Sequence, residues 1–199
     1  MLTPKGYTNR GQIQNYLLHG VKDYFVPQID HWIAQMEKFI ETETQRVFIA
    51  DETASVKKFD GNGEIELFVP ECIEITEVKV TSSDGTEIII TSDYYYLYPI
   101  NKMPRSRIKL ADDSGYSFTS GEQNIEITAK WGYSETCPSD ISFATTVLVA
   151  GIINFSADMQ NEVKSEAIGS YNVTYKDSNG WQDFVQAKEI IYNYRRIVV

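Results

Sequence analysis

The hydrophobic period of this chain changes twice, and these changes restrict the folds that it can adopt. Up to about residue 50, apolar residues recur at steps of three and four, which is the spacing of one helix face. Between about 53 and 132 the step becomes two, as in Ile65, Leu67 and Val69, which is typical of strands with one buried face. The helical spacing returns afterwards. A helical frame interrupted by a β-domain accounts for this pattern.

The two helical zones carry recognisable start signals. Thr8 or Asn9 is suited to cap a short first helix, and an amphipathic helix of about five turns follows Pro27. Pro138 is suited to the first position of a third helix. A last amphipathic helix follows the turn at 177–180. We therefore expect about four helices.

The central zone contains turn signals at short intervals. Examples are the runs Asp-Gly-Asn-Gly at 60–63 and Asp-Ser-Gly at 113–115. They predict about five to seven antiparallel strands. The tyrosine-rich run at 93–99 is one of these strands, with aromatic residues on both faces. Its candidate contact residues are Tyr94, Tyr95, Tyr96 and Tyr98.

These patterns predict an α+β protein. Residues 1–52 and 133–199 would form a helical bundle with an extended strand or hairpin, and residues 53–132 an inserted antiparallel β-domain. One segment departs from the helical period around it. The run SEAIGSYNVTY at 165–175 has the alternation of a strand, and no partner strand lies nearby in the sequence.

The charge of the chain disfavours one class of function and is compatible with another. With 28 acidic and 18 basic residues, the formal net charge is −10. A sequence-specific DNA-binding protein usually carries a basic face, so that function is disfavoured. An acidic surface along which DNA passes remains compatible, because like charges repel the phosphate backbone.

Several features predict a protein made in the cytoplasm. Cys72 and Cys137 are far apart in the sequence and are expected to be free thiols. The first residues lack the apolar run of a signal peptide. The apolar run at 147–153 is too short to cross a membrane, so we expect no membrane contact.

No motif for catalysis or metal binding is recognisable. The only histidines are His19 and His31, and neither has the spacing of a zinc site. The run KFDGNGEI fails as a calcium loop because Lys58 and Val69 stand where acidic ligands are needed. We therefore predict no enzyme, cofactor or metal. A hydrolase that uses an unrecognised carboxylate pair stays open, since the sequence cannot select such a pair.

Four stretches together resemble the head–tail connector (adaptor, or head-completion) proteins of long-tailed bacteriophages, in members with a β-domain insert. They are IDHWIAQMEKFIETETQRVF at 29–48, FDGNGEIELFVP with the later DYYYLYPINKMPRSRIKL, ITAKWGYSETCPSDISFATTVLVAGII at 127–153, and SEAIGSYNVTY. Their order and spacing carry the resemblance, which covers most of the chain.

The resemblance implies a structural role in the neck of a virion. Such proteins form a ring, commonly of twelve copies, beneath the portal, where they extend the DNA exit channel and receive a stopper or tail-completion protein. The C-terminal region would dock onto the portal. The matching residues are Tyr192, Tyr194, Arg195, Arg196 and Ile197. The two arginines are equally explained as cations at a helix C-terminus.

The resemblance also gives the segment at 165–175 a role. An unpaired strand can hydrogen-bond to a neighbouring subunit of a ring. The expected assembly residues are Glu166, Ile168, Gly169, Tyr171, Val173 and Tyr175. Partners would be the portal, the stopper or tail-completion protein and other copies of the chain. DNA would pass through the channel without specific binding, and acidic residues would outnumber basic ones on the lumen face.

One alternative belongs to a different class of function. The β-domain would be a carbohydrate- or surface-binding module whose tyrosines stack on sugar rings. The flanking helices disfavour this alternative, because a simple binding module does not need them.

Overall fold

The computed structural model describes residues 3–17, 25–161 and 180–196. The chain divides into two compact units. Unit 1 is Met1–Arg46 with Cys137–Val199, and unit 2 is Val47–Thr136. The expected divisions at residues 52 and 132 lie a few positions inside unit 2. Helices and an antiparallel sheet are both present, so the predicted α+β class is confirmed.

Among the described residues, unit 1 contains four helices, in the order predicted. They are α1 (Arg10–Tyr16), α2 (Val26–Thr44), α3 (Ser139–Asn161) and α4 (Gly180–Asn193). The side chain of Asn9 accepts a hydrogen bond from the Gln12 backbone N–H, and the side chain of Gln12 accepts one from the Asn9 backbone N–H, so α1 begins with a capping box. Gln45 ends α2 in the left-handed conformation, at φ 56°. None of the described helices is long and apolar enough to span a membrane.

Apolar residues on one face of α1, α2 and α3 form the core of unit 1. Ile29 and Ile33 of α2 are buried against Val149 and Ile153 of α3, and Ile13 of α1 closes the cluster. The three- and four-residue spacing therefore predicted this face of α2 correctly. Phe39, which shares the pattern, lies instead 46% exposed on α2.

Two glutamates on α2 are buried, although the helical pattern predicts a solvated position for both. Glu37 is 2% exposed and Glu41 is 8% exposed. The Glu37 carboxylate accepts backbone N–H bonds from Lys5 (2.6 Å), Gly6 (2.9 Å) and Tyr7 (2.8 Å). Glu41 accepts from Lys5 Nζ at 2.7 Å and from the Tyr7 hydroxyl at 2.6 Å. A buried carboxylate needs such partners, and these bonds fasten residues 5–7, the N-terminal strap, to α2.

Unit 2 contains a six-stranded antiparallel sheet. Its strands are β1 (Ser55–Gly61), β2 (Glu66–Thr81), β3 (Glu87–Ile90), β4 (Tyr95–Tyr98), β5 (Arg105–Leu110) and β6 (Gly121–Trp131). The order is β1-β6-β2-β5-β4, and β3 pairs with β2. The long strand β2 organises the sheet, because β6 lies along one of its edges and β5 and β3 along the other.

One face of the sheet packs the core of unit 2, and the other face carries charges. Leu67 and Ile108 are cross-strand partners and are both buried, as are Val78 and Ile127. Alternation by two predicted these inward positions. On the opposite face, an ion-pair network crosses four strands. Its pairs are Lys58–Glu126 (3.0 Å), Glu126–Lys79 (2.7 Å) and Lys79–Glu87 (3.3 Å).

The first and last segments of unit 2 lie side by side. Ile49 and Ser134 form a parallel bridge, the Tyr133 N–H donates to the Val47 carbonyl at 2.8 Å, and the Ala50 N–H donates to the Ser134 carbonyl at 2.9 Å. Gly132 permits this close approach. Its φ is 143°, and a Cβ there would lie 2.4 Å from the Ala50 Cα.

We expect Glu37→Ala to lower the free energy of unfolding by about 3 kcal/mol, because it leaves three backbone donors without their acceptor. Glu37→Gln should cost less, since its oxygen can still serve Gly6 and Tyr7 while its NH₂ group faces the Lys5 donor. Urea titrations followed by circular dichroism measure both. Glu189→Ala, at an exposed position of α4, is the control, and equal stabilities for Glu37→Ala and this control would contradict the assignment.

We expect Gly132→Ala to lower the thermal midpoint of unit 2 much more than Gly85→Ala does. Both glycines have positive φ, so each substitution carries a conformational cost of about 1–2 kcal/mol. Only Gly132 also faces a neighbouring backbone, because nothing lies within 4 Å of a Cβ built on Gly85. Differential scanning calorimetry measures the two midpoints. Matching shifts would show that the contact with Ala50 carries no strain.

Candidate functional site

An apolar groove of about 450 Å³ opens on unit 1, where α2 and α4 flank α3. We call it the α2–α4 groove. Its apolar lining comes from all three helices: Phe39 from α2, Leu148 from α3, and Phe184, Ile191 and Tyr192 from α4. The sequence separates these residues widely, so the groove exists only once the three helices have packed.

The helical period explains why α4 presents a continuous stripe to this groove. Phe184, Lys188, Ile191 and Arg195 recur at steps of three and four, which places them on one face. Ala187 and Ile191 are buried within unit 1, whereas Phe184 is 41% and Tyr192 is 69% exposed. Contiguous large apolar side chains exposed at a protein surface are typical of an interaction site.

The rim of the groove carries more positive than negative charge. Arg195 lies 3.7 Å from the carboxylate of Glu43, and about half of each side chain is exposed to solvent. Lys188 also lines the groove, and no carboxylate among the described residues forms an ion pair with it. In a chain of net charge −10, these two cations at an apolar opening make the rim locally favourable to negative charge.

The residues predicted to dock onto the portal divide into two groups. Tyr192 and Arg195 line the α2–α4 groove. Tyr194 instead anchors the chain: its hydroxyl donates to Asp140 at 3.1 Å and its carbonyl accepts from Arg46 Nε at 2.6 Å.

Arg196 continues this anchor, because its backbone N–H donates to the Thr44 carbonyl at 2.9 Å. Ile197 lies outside the described residues. The predicted assembly segment at 165–175, with Gly169, also lies outside the described residues.

The predicted tyrosine surface of unit 2 is spread over different environments. Tyr95 packs against the core of the sheet. Tyr94 precedes β4 and meets Tyr116 edge to face, with ring centroids 5.4 Å apart. Tyr96 is 54% exposed, and alternation places Tyr98 on the same outward face of β4. The four tyrosines therefore do not form one platform.

A cationic and aromatic row does cross the outward face of three strands. Arg107 of β5 lies 4.6 Å from the ring centroid of Tyr98 and 5.9 Å from that of Phe68, on the strands to either side. Its Nη1 also pairs with Glu66 at 3.0 Å. Because the guanidinium covers the Tyr98 ring, it occupies a face on which a sugar would stack. Phe68, 72% exposed, is a surface residue that the tyrosine pattern did not identify.

Neither cysteine has the environment of a nucleophile. Burial raises the pKa of the Cys72 thiol to about 11, against smaller opposing effects of Arg105 and Lys57. Burial, with the nearby carboxylates of Glu37 and Asp140, raises the pKa of Cys137 to about 12. Both groups are therefore neutral thiols near pH 7. Within residues 3–17, 25–161 and 180–196, no three His, Cys, Asp or Glu side chains are grouped to hold a metal ion.

Comparison with known proteins gives a likeness of fold. No family model and no curated protein matches the sequence. A chain from the "neck of empty GTA particle computed with C6 symmetry" superposes with a TM-score of 0.58 at 15% identity, covering 100% of this chain and 94% of that one. A chain from the "virion of native gene transfer agent (GTA) particle" gives 0.53 at 16% identity, with the same coverage. The resemblance to head–tail connector proteins that the sequence indicated is thus confirmed at the level of the fold.

We expect both thiols to resist modification in the folded protein. At pH 8, a thiol of pKa about 11 is ionised to roughly one part in a thousand, and burial of Cys72 also blocks the reagent, whereas the partly exposed Cys137 is protected by its raised pKa. Because both pKa values are raised, the thiolate fraction should rise about tenfold with each pH unit and level off only above about pH 11 for Cys72 and about pH 12 for Cys137. Absorbance after addition of an aromatic disulfide reagent measures the rate, and the protein in urea is the reference. A folded protein that reacts within a factor of ten of the urea-unfolded protein would contradict these environments.

Proposed function

We propose that this protein is a structural, non-enzymatic component of a virion neck. Copies of it would form a ring below the portal, extend the channel through which DNA leaves, and join the capsid to a stopper or tail. The observation that carries the proposal is the likeness of fold over the entire chain to a chain from a particle neck. The apolar α2–α4 groove supports it, because an assembly protein needs such contact surfaces.

A ring requires that one surface of each copy meets a different surface of the next. Such heterologous contacts close into a cycle when the rotation between copies is right. The related neck was described with C6 symmetry, which is compatible with six copies or with twelve. We propose twelve. Residues 165–175 would provide an added strand between neighbours, and Gly169 would permit the close approach of the two chains.

The negative charge of the chain suits a DNA channel. A net charge of −10 on each copy is multiplied around a ring, and acidic side chains on the lumen would repel the phosphate backbone. DNA would then slide without binding to the wall. We propose that acidic residues outnumber basic ones on that surface.

The direct test is electron microscopy of portal particles mixed with the purified protein. We expect an added ring of density at the portal vertex. The double variant Arg195→Glu and Arg196→Glu should reduce the fraction of portals with this ring at least tenfold, because it reverses the charge of the proposed docking end. The subunit should remain folded, since the Arg196 contact with Thr44 uses only its backbone N–H.

Lys102→Glu, at an exposed position in unit 2, is the matched control for a change of charge. Circular dichroism checks that each variant is folded. Portals without an added ring when mixed with the wild-type protein would refute the proposed function. Attachment of the double variant at the wild-type level would refute the role of the two arginines and leave the neck proposal standing.

A further inference from the structure

The α2–α4 groove has a size that fits a short protein segment better than a whole subunit face. Its volume of about 450 Å³ holds a few large side chains, whereas a stable interface between subunits buries about 800 Å² on each partner. Grooves lined by helices commonly receive an amphipathic segment whose apolar side chains enter at regular spacing. The occupant is therefore a segment with two or more large apolar residues.

The floor and sides of the groove favour apolar side chains in that segment. Leu148, 9% exposed, lies at the floor, and Phe39 and Phe184 are both more than 40% exposed at its sides. These surfaces exclude polar side chains, because a buried polar group without a partner is costly. Tyr192 stands beside them and can accept apolar contact through its ring while its hydroxyl stays in water.

The two cations favour acidic residues on either side of the apolar side chains of the bound segment. Lys188 lies between the apolar positions Phe184 and Ile191 on the α4 stripe and has no carboxylate partner among the described residues. Arg195 already lies 3.7 Å from the Glu43 carboxylate, a separation long enough for a second carboxylate to approach it more closely. A carboxylate of the bound segment that lies beside Lys188 would pair with a cation that no described carboxylate shares.

We infer that the α2–α4 groove binds a segment of the portal in which large apolar side chains are flanked by carboxylates. The inference rests on the proposed function, because it takes the portal as the partner. It assigns the contact to residues of α2, α3 and α4 together, whereas the resemblance implied only the C-terminal end. The other occupant that the groove could receive is a second copy of this chain, and the experiment distinguishes the two.

The experiment uses the full-length protein and assembled portals from the same particle. A photo-crosslinking benzoylphenylalanine replaces Tyr192, and the crosslinked peptides are identified by mass spectrometry. The same group placed at Ile89, 57% exposed on β3, is the control. We expect the Tyr192 probe to label a portal segment that has at least two large apolar residues and an Asp or Glu within four positions of them.

Affinity measurements give the second readout. Lys188→Glu and Tyr192→Asp should each weaken portal binding about tenfold or more, and Lys188→Gln should weaken it less. Ile89→Asp should leave the affinity unchanged. Both groove positions are exposed, so these variants should fold, and circular dichroism verifies that they do.

Three results would overturn the inference. They are crosslinks to a second copy of the chain, crosslinks to a portal segment without apolar and acidic residues, and wild-type affinity for both Lys188→Glu and Tyr192→Asp. In each of these cases the wild-type ring still attaches to portals, so the neck function is retained. Failure of the wild-type protein to bind portals at all would instead refute both proposals.

Discussion

The pairing of the two ends of unit 2 is the constraint on which the two-unit organisation depends. Unit 1 is built from two stretches separated by 90 residues of chain, since Val47–Thr136 forms unit 2. The bridge between Ile49 and Ser134 and the hydrogen bonds around it place the start and the end of the insert next to each other. The insert therefore begins and ends at neighbouring points, which lets the two helical stretches that flank it belong to one compact unit. Gly132 is essential here, because any side chain would collide with Ala50.

Periodicity predicted the elements well because each element has one buried face. In unit 2, positions such as Leu67 and Ile127 follow directly from alternation, since a shift by one residue would expose the whole set. In unit 1, Ile29 and Ile33 follow from the helical step in the same way. These predictions need only the local sequence and the preference of apolar side chains for the interior.

Periodicity failed where a residue's environment depends on a distant partner. Glu37 falls between the apolar positions of α2, where a charged residue is expected on the surface, but it is buried and accepts hydrogen bonds from the backbone of the N-terminal strap. Phe39 follows the apolar spacing of α2, yet it lies at the side of the groove. One signal was present in the sequence. The segment that forms α4 has more large apolar residues, including Phe184, Val185 and Tyr192, than a single face can bury. The groove itself could not be predicted, because it depends on how three separate helices pack.

The lysines of β1 affect whether two free subunits can pair through the edges of their sheets. Among the described strands, β1 is at one end of the sheet order, so its outer edge is open to other strands. Lys58 pairs with Glu126 and Lys57 lies 4.5 Å from the centre of the Trp131 ring, so contacts with β6 hold both lysines in place on this edge strand. Lysines on an edge strand disfavour its pairing with a second copy of itself. Sheet-to-sheet joining of two chains through β1 is thereby disfavoured.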